Sequence, residues 1–385
     1  MKLVIYEGTF KTTPFINRLI QGLVKKGNEV YVLGFNEKIE QKLEDVKYIS
    51  LGNSHGKIKF YFTSLKWAFK SEHIFNSLKN LITSNILKIK KANLKSALFQ
   101  IKPDVVHVQW ATHIVLFEEL LQNKASKFVL SQRGYQTNVR PFVNAKVIAH
   151  QKKYLPFFDG FHSVSKAISK VGDLLYQATN KIDEVVYTGL EFSNFQFNAK
   201  VERNKVLKLV SVGRPHWIKG YVYAINACFL LAQKKNNFHY TIIGGAGNEE
   251  LLFLIHNLGL QNKITLTKRL PQSKVFELIQ ESDVLLLPSI EEGIANVAVE
   301  AMALGTPVIS ADCGGMHELI THNSEGWIVP TYDVEAMAKQ IITFTELSED
   351  EIKRVKVAAR KKVEYQHSET QMIKGMLRLY ERVML

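Results

Sequence analysis

Short runs of aliphatic and β-branched residues alternate along the chain with longer stretches whose apolar positions recur at three- and four-residue intervals. That rhythm belongs to βα units whose parallel strands are covered on both faces. In the first half it predicts strands at 2–6, 28–33, 47–51, 104–109, 127–131, 160–164 and 184–187, with helices between them, for example at 15–26 and 145–153. The stretch 190–205 loses the rhythm and turns polar, with Asn194, Asn198, Lys200, Glu202 and Asn204, and reads as a linker. A second series then predicts strands at 207–212, 239–243, 263–267, 283–287, 307–310 and 326–329. Two Rossmann-like halves of an α/β protein are expected, without short-period repeats. The segment 349–385 is helical in pattern and is expected to pack back across the linker.

Length and composition narrow the class. At about 150 residues per domain, 385 residues favour two domains, or three, and 46% apolar content is enough for sizeable cores. The two cysteines, Cys228 and Cys313, argue against a disulfide framework and for a reducing compartment, and no CxxC spacing suggests zinc. No signal peptide is expected from the N-terminal residues, and the longest mostly apolar stretch, 223–232, is half of what a bilayer span needs. A formal charge of +14 attracts anions, but its sign does not choose among nucleic acid, anionic lipid and phosphorylated small molecules.

The second half carries the chemistry. The strand 207–212 runs into Gly213-Arg214 and then Lys219-Gly220, placing two cations at a strand's carboxyl end, where open α/β sheets bind ligands. Arginine as a planar fork and lysine as a point charge suit a diphosphate, although surface salt bridges are the plainer reading. The glycine-rich turn 244–247 matches the dinucleotide pattern incompletely and also reads as a tight βα turn. The strongest constellation runs from Pro288 to Val308. Its loop holds Glu292 and Gly293, and a helix begins near Asn296, so the amides of Ile294, Ala295, Asn296 and Val297 form an anion cradle. Glu292 and Glu300 fall at different depths, which suits two sets of hydroxyls, or else a dipole-facing acid and a solvated one.

Taken together these motifs resemble the retaining GT-B-fold glycosyltransferases of family 4, also called glycosyltransferases group 1. The likeness rests on Gly213-Arg214 with Lys219-Gly220, the turn 243–247, the Glu292-to-Glu300 motif with seven intervening residues, and Gly314-Gly315-Met316-His317-Glu318 followed by 326–329. It implies two Rossmann-like domains facing each other across a cleft: an acceptor domain at 1–195, a nucleotide-sugar domain at 206–362, and a helix at 363–385 returning to the first. It further implies that Arg214 and Lys219 hold the donor diphosphate, that Glu300 binds the ribose, and that Glu292 meets the donor sugar near the reacting centre. Gly213 and residues 293–297 complete the donor cradle. No cofactor and no metal are implied beyond a nucleotide-sugar donor, UDP ahead of GDP, and retention implies no carboxylate nucleophile, so the two glutamates are not a glycosidase pair.

In the first half, Gly8 and Thr9 of the loop after the first strand are cleft candidates, where many family members carry a glycine pair. Gln109 stands at the second place of an alternating-histidine strand, with His113 nearby as a spatial substitute, and Arg133 replaces a His before Gly134. No catalytic histidine is therefore carried over, and Arg133 with Arg140 points to an anionic acceptor.

Between 57 and 102 there are ten lysines, one acid (Glu72), and interleaved aromatics including Phe60, Phe62, Trp67, Phe69 and Phe75. This suits docking on an anionic membrane surface, or a solvated excursion whose rings pack on its own domain. Nucleic acid is not expected as a partner, because no nucleic-acid motif accompanies the charge. The expectation is a cytoplasmic glycosyltransferase, attached peripherally to the inner face of the plasma membrane. It would move a hexose or N-acetylhexosamine to a glycan acceptor, in lipid-linked form, in cell-surface polysaccharide synthesis. Two alternatives stand beside it: a nucleotide-sugar 2-epimerase of the same architecture, and a catalytically silent glycan-binding relative.

Overall fold

The computed structural model describes the chain except residues 37, 38, 40, 41, 54, 55, 72, 73 and 202–204, so Glu72, Glu202 and Asn204 lie outside the described residues. The chain divides into two units, Met1–Gly189 with Glu369–Leu385, and Leu190–Ser368.

The first unit is built on seven parallel strands: β1 (Lys2–Gly8), β2 (Glu29–Gly34), β3 (Val46–Ser50), β4 (Val105–Val108), β5 (Lys127–Gln132), β6 (Gly160–Ser163) and β7 (Asp183–Val185). Their order is β3-β2-β1-β4-β5-β6-β7. Alternation decides which core each side chain enters. Val4 and Tyr6 of β1 join Val106, Val108, Phe128 and Leu130 on one face. Leu3 and Ile5 join Val30, Val105 and Val129 on the other. The second face is covered by α1 (Pro14–Lys25) and by the terminal helix Glu369–Met384, which contributes Met372, Ile373, Met376, Leu379, Tyr380 and Val383 to that core. Thus the C-terminal segment does return to the N-terminal unit. The basic stretch forms three helices of this unit, α2 (Lys57–Phe69), α3 (Ile74–Ile82) and α4 (Ile86–Ile101), and its aromatics divide: Phe60 and Trp67 are buried, whereas Phe62, Phe69 and Phe75 are exposed.

The second unit holds six parallel strands, β8 (Leu207–Val212), β9 (Phe238–Ile243), β10 (Ile264–Thr267), β11 (Val284–Leu287), β12 (Val308–Ala311) and β13 (Trp327–Val329), in the order β10-β9-β8-β11-β12-β13. In both sheets the first strand lies inside, and the order reverses beside it, between β1 and β4 and between β8 and β11. Open α/β sheets bind ligands at such switch points, outside the carboxyl ends of the strands.

The change of unit falls at Gly189/Leu190, earlier than the expected 195, and the return falls at 368/369 instead of 362/363. Leu190 N–H donates to the His367 carbonyl at 2.6 Å. Phe195, in the stretch read as a polar linker, is buried in the second core with its ring 5.0 Å from that of Phe276. Arg360 lies 4.8 Å over the Phe192 ring and donates to the Phe195 carbonyl at 3.0 Å, on a helix that runs unbroken over Glu349–Gln366. Among the described residues no helix is long and apolar enough to cross a membrane.

Candidate active site

The loops that leave β8 and β11 at the second unit's switch point carry the predicted donor residues. After β8 the chain passes Gly213 and the exposed Arg214, makes a short 3₁₀ turn over Trp217–Lys219, and reaches Gly220, whose φ is +62°. A side chain at Gly220 would collide with the Pro288 carbonyl oxygen, so the left-handed turn and the close approach both require glycine. Ile290 N–H closes the contact by donating to the Ile218 carbonyl at 2.8 Å. On the other side Gly314, with φ +52°, presses against the Glu292 carbonyl, and Gly315 N–H donates to the Gly293 carbonyl at 2.8 Å. The Pro288–Gly293 loop is thereby held from two sides.

That packing brings Lys219 to Glu292 across 73 residues of sequence. The ammonium lies 2.5 Å from Glu292 Oε1, and the Ser289 hydroxyl donates to the same oxygen at 3.0 Å. Both charged side chains are mostly covered, which strengthens their attraction over that of a surface pair. Tyr221 is buried beside them, with its hydroxyl without a hydrogen-bond partner. Burial, and secondarily the Glu292 charge, push its ionisation well above the ordinary range, so it is a neutral donor or acceptor.

The helix Asn296–Leu304 starts from Ala295, which has no side-chain oxygen to cap it. Other helices of this unit are capped by Asn248, Asp333 and a Ser348–Glu351 capping box. Here the first turn closes only from Ala298 and Val299 N–H onto the Ala295 carbonyl. The amides of Asn296 and Val297 precede those bonds at the positive end of the helix, an arrangement suited to an anion. Glu300 follows just past the first turn and is half-buried. The motif loop, Lys219 and this helix start therefore meet at one end of one sheet. A separate cavity at the amino ends of β8, β11 and β12, lined by Lys205, Asn237 and Thr306 among others, holds none of the predicted residues.

The first unit assembles a second polar cluster at the carboxyl ends of β1, β4 and β5. Arg133 donates to Gln109 Oε1 at 3.0 Å and to the Ser131 hydroxyl at 3.3 Å, and its guanidinium lies over the rings of Phe15 (4.7 Å) and Trp110 (5.8 Å). Burial lowers its ionisation to about 10, with the Glu7 charge opposing that fall. Glu7 is pushed up to about 7 by burial, against hydrogen bonds from the Trp110 side chain and the Thr13 backbone and the pull of Arg133. One Glu7 carboxyl oxygen, Gln109 Nε2, Arg133 Nε and His113 Nδ1 are buried without hydrogen-bond partners. His113 packs edge-on against Tyr6 and over Gly8, and burial lowers it to about 4. Gln109, His113, Arg133 and Gly8 thus lie together, with Thr9 in the adjoining turn.

Sequence reading passed over Glu7, Phe15 and Trp110, and in the second unit Ser289 and Tyr221. Glu7, Trp110 and Tyr221 each adjoin a singled-out residue and Ser289 lies in the motif loop three residues before Glu292, whereas Phe15 meets Arg133 only through packing far along the chain. Among the described residues no group of three or more His, Cys, Asp and Glu side chains forms a metal set.

Residues 192–362 match the family described as Glycosyl transferases group 1, and residues 10–154 match Glycosyl transferase 4-like. The amylovoran biosynthesis glycosyltransferase AmsK of Erwinia amylovora is 33% identical over 206 residues, 52% of this chain and 50% of that protein. This chain thus aligns with about half the length of that relative. The N,N'-diacetylbacillosaminyl-diphospho-undecaprenol alpha-1,3-N-acetylgalactosaminyltransferase of Campylobacter jejuni is 24% identical over 386 residues, 95% of this chain and 94% of its own. The crystal structure of Anabaena HepE in complex with UDP-glucose superimposes with a TM-score of 0.72 at 15% identity, covering 100% of this chain and 99% of that one. With two parallel Rossmann-like sheets, the motif loops at a switch point and family matches in both halves, this chain belongs to the GT-B-fold glycosyltransferases of group 1, family 4.

Proposed function

We propose that the protein is a retaining glycosyltransferase that moves a hexose or N-acetylhexosamine from a nucleoside diphosphate sugar, UDP before GDP, to a lipid-linked glycan in cell-surface polysaccharide synthesis. The observation that carries this reading is the meeting of Lys219, Glu292 and the uncapped start of Asn296–Leu304 at one switch point. A diphosphate there takes Lys219 and Arg214 as counter-ions and the amides of Asn296 and Val297 as donors. Glu292 is then freed for the donor sugar's hydroxyls, while Glu300, deeper on the helix, serves the ribose.

In the step itself the bond between the anomeric carbon and the phosphate oxygen breaks, and its electron pair leaves with the nucleoside diphosphate. The acceptor hydroxyl oxygen bonds to that carbon on the same face, and its proton passes to the departing phosphate oxygen. The protein's share is to hold the growing charge with fixed donors, which removing one group tests. In this reading no metal is needed, because the cations and amides carry that charge.

Relatives support the setting: those named above include an enzyme of amylovoran biosynthesis and one acting on an undecaprenol-linked sugar, and HepE was solved with UDP-glucose. The Gln109–Arg133 cluster is the proposed acceptor wall. The test is nucleoside diphosphate release from UDP- and GDP-sugars with and without lipid-linked glycan. Acceptor-dependent release supports transfer. Conversion of the donor into its 2-epimer without acceptor, or no binding of any donor, contradicts it.

A further inference from the structure

Helix α2 is apolar on two opposite faces. Its inner face buries Phe60, Trp67 and Ala68 in the first unit, and its position is fixed by polar contacts. Trp67 Nε1–H donates to the Ser50 carbonyl at 2.9 Å, and Asn93 of α4 donates to the Ser64 hydroxyl at 2.8 Å. The outer face carries Ile58, Phe62, Leu65 and Phe69, spaced four, three and four residues apart, which is a single stripe at 3.6 residues per turn. On α3, Phe75 and Ile82 are seven residues apart and share a face in the same way. All six are exposed, between 38 and 84%. Exposed apolar stripes of this size on a soluble surface mark interaction sites more often than scattered single residues do.

What lies around the stripe indicates what covers it. On the same helical projection Lys59, Lys66 and Lys70 run together along one edge of the α2 stripe, and exposed Lys79 flanks the α3 pair. From 57 to 102 the sequence sets ten lysines against a single acid, Glu72, which lies outside the described residues. A folded protein partner would have to answer dense positive charge with its own acids, whereas an anionic bilayer offers a continuous negative surface with hydrocarbon beneath it. We propose that α2 and α3 dock this protein in plane on an anionic lipid surface, with Phe62, Phe69, Phe75 and Ile82 entering the headgroup boundary and the lysines resting on the phosphates. The orientation follows from α2 itself: its inner face is pinned to β3 and α4, so only the outer face meets the lipid. This surface belongs to the first unit and the donor loops to the second, so nucleotide binding in solution reports on the one site and lipid binding on the other.

The test is flotation of the full chain with phosphatidylglycerol/phosphatidylcholine vesicles and with pure phosphatidylcholine vesicles. The proposal expects co-flotation with the anionic vesicles only, weakening as salt rises. The double variant Phe62→Ser/Phe69→Ser should lose about tenfold or more of that partitioning, and Lys59→Gln/Lys66→Gln/Lys70→Gln should lose a comparable amount. Because these side chains are exposed, melting temperature and UDP binding should stay unchanged in both, which separates loss of docking from loss of the fold or of the donor site. Absence of flotation at low salt, equal flotation with both lipids, or undiminished flotation of the two variants overturns it. So does self-association that Phe62→Ser/Phe69→Ser abolishes in the absence of lipid binding, which would assign the stripe to a second copy of the chain.

Discussion

The Lys219 ammonium lies 2.5 Å from Glu292 Oε1, so the cation expected on the diphosphate and the acid expected on the sugar are partners of each other. The pair keeps both side chains at the switch point in a defined place. In the proposed reading a bound donor divides them, with phosphate going to Lys219 and hydroxyls to Glu292. Such a pair prepares the site without filling it, because the lysine exchanges one anion for another and the acid gains neutral donors.

Lys219→Ala therefore removes a charged partner of the diphosphate while leaving Glu292 held by Ser289. A hydrogen bond to a charged group contributes about 1.5–3 kcal/mol, so affinity for UDP should fall about ten- to a hundredfold. Calorimetric titration with UDP checks this, with an unchanged melting curve as the control for folding.

Gly220→Ala attacks the same geometry through the backbone. The left-handed conformation alone costs a residue with a Cβ about 1–2 kcal/mol, and the collision with the Pro288 carbonyl adds to it. Urea denaturation should show a loss of about 2 kcal/mol or more, and UDP binding should weaken because the Pro288–Gly293 loop is displaced.

In the first unit, Tyr380 of the terminal helix donates to His107 Nδ1 at 2.8 Å, and His107 Nε2, the Ser131 hydroxyl and His162 Nδ1 continue the chain at 2.8 Å each. His162 Nε2–H ends it on the Val186 carbonyl at 2.9 Å. This direction gives every member one donor and one acceptor, with both histidines neutral. Tyr380→Phe breaks the chain and should cost about 1 kcal/mol in urea denaturation. Deleting 369–385 uncovers one face of the sheet and should leave the first unit unfolded.

Two opposite pH effects follow from the same unit. Burial lowers His162 to about 3 and His113 to about 4, and holds His107 well below its ordinary 6.5. The unfolded chain binds more protons there, so stability is present above 6.5 and is lost as pH falls towards 3. Glu7, raised from 4.5 to about 7, does the reverse: the folded state keeps its proton longer, and stability is lost as pH rises from 4.5 through 7. Urea denaturation of Glu7→Gln between pH 4.5 and 8 should lack that second decline while keeping the acid one.

The strands were legible because each is a short apolar run bounded by polar turns, and all thirteen form within a few residues of their expected places. The fold class follows from their alternation with helices. Motif residues that sit together in sequence, such as Glu292 and the start of Asn296–Leu304, were legible for the same reason. Contacts made by long-range packing were not. Neither the Lys219–Glu292 pair nor the meeting of Glu7, Trp110 and Arg133 leaves a local spacing, since each depends on which strands become neighbours. The early end of the first unit was hidden because Phe192, Phe195 and Phe197 are scattered among polar residues, and the burial of Phe195 depends on Phe276 and Arg360 far downstream. The two-faced α2 was blurred because apolar residues on opposite sides cancel in a search for one amphipathic face.

The most direct measurement is a paired calorimetric titration of the wild-type chain and Lys219→Ala with UDP and with uridine. The expected result is that UDP binds the wild type far more tightly than uridine does, and that the variant loses most of that difference. Equal affinity of the variant and the wild type for UDP would contradict it.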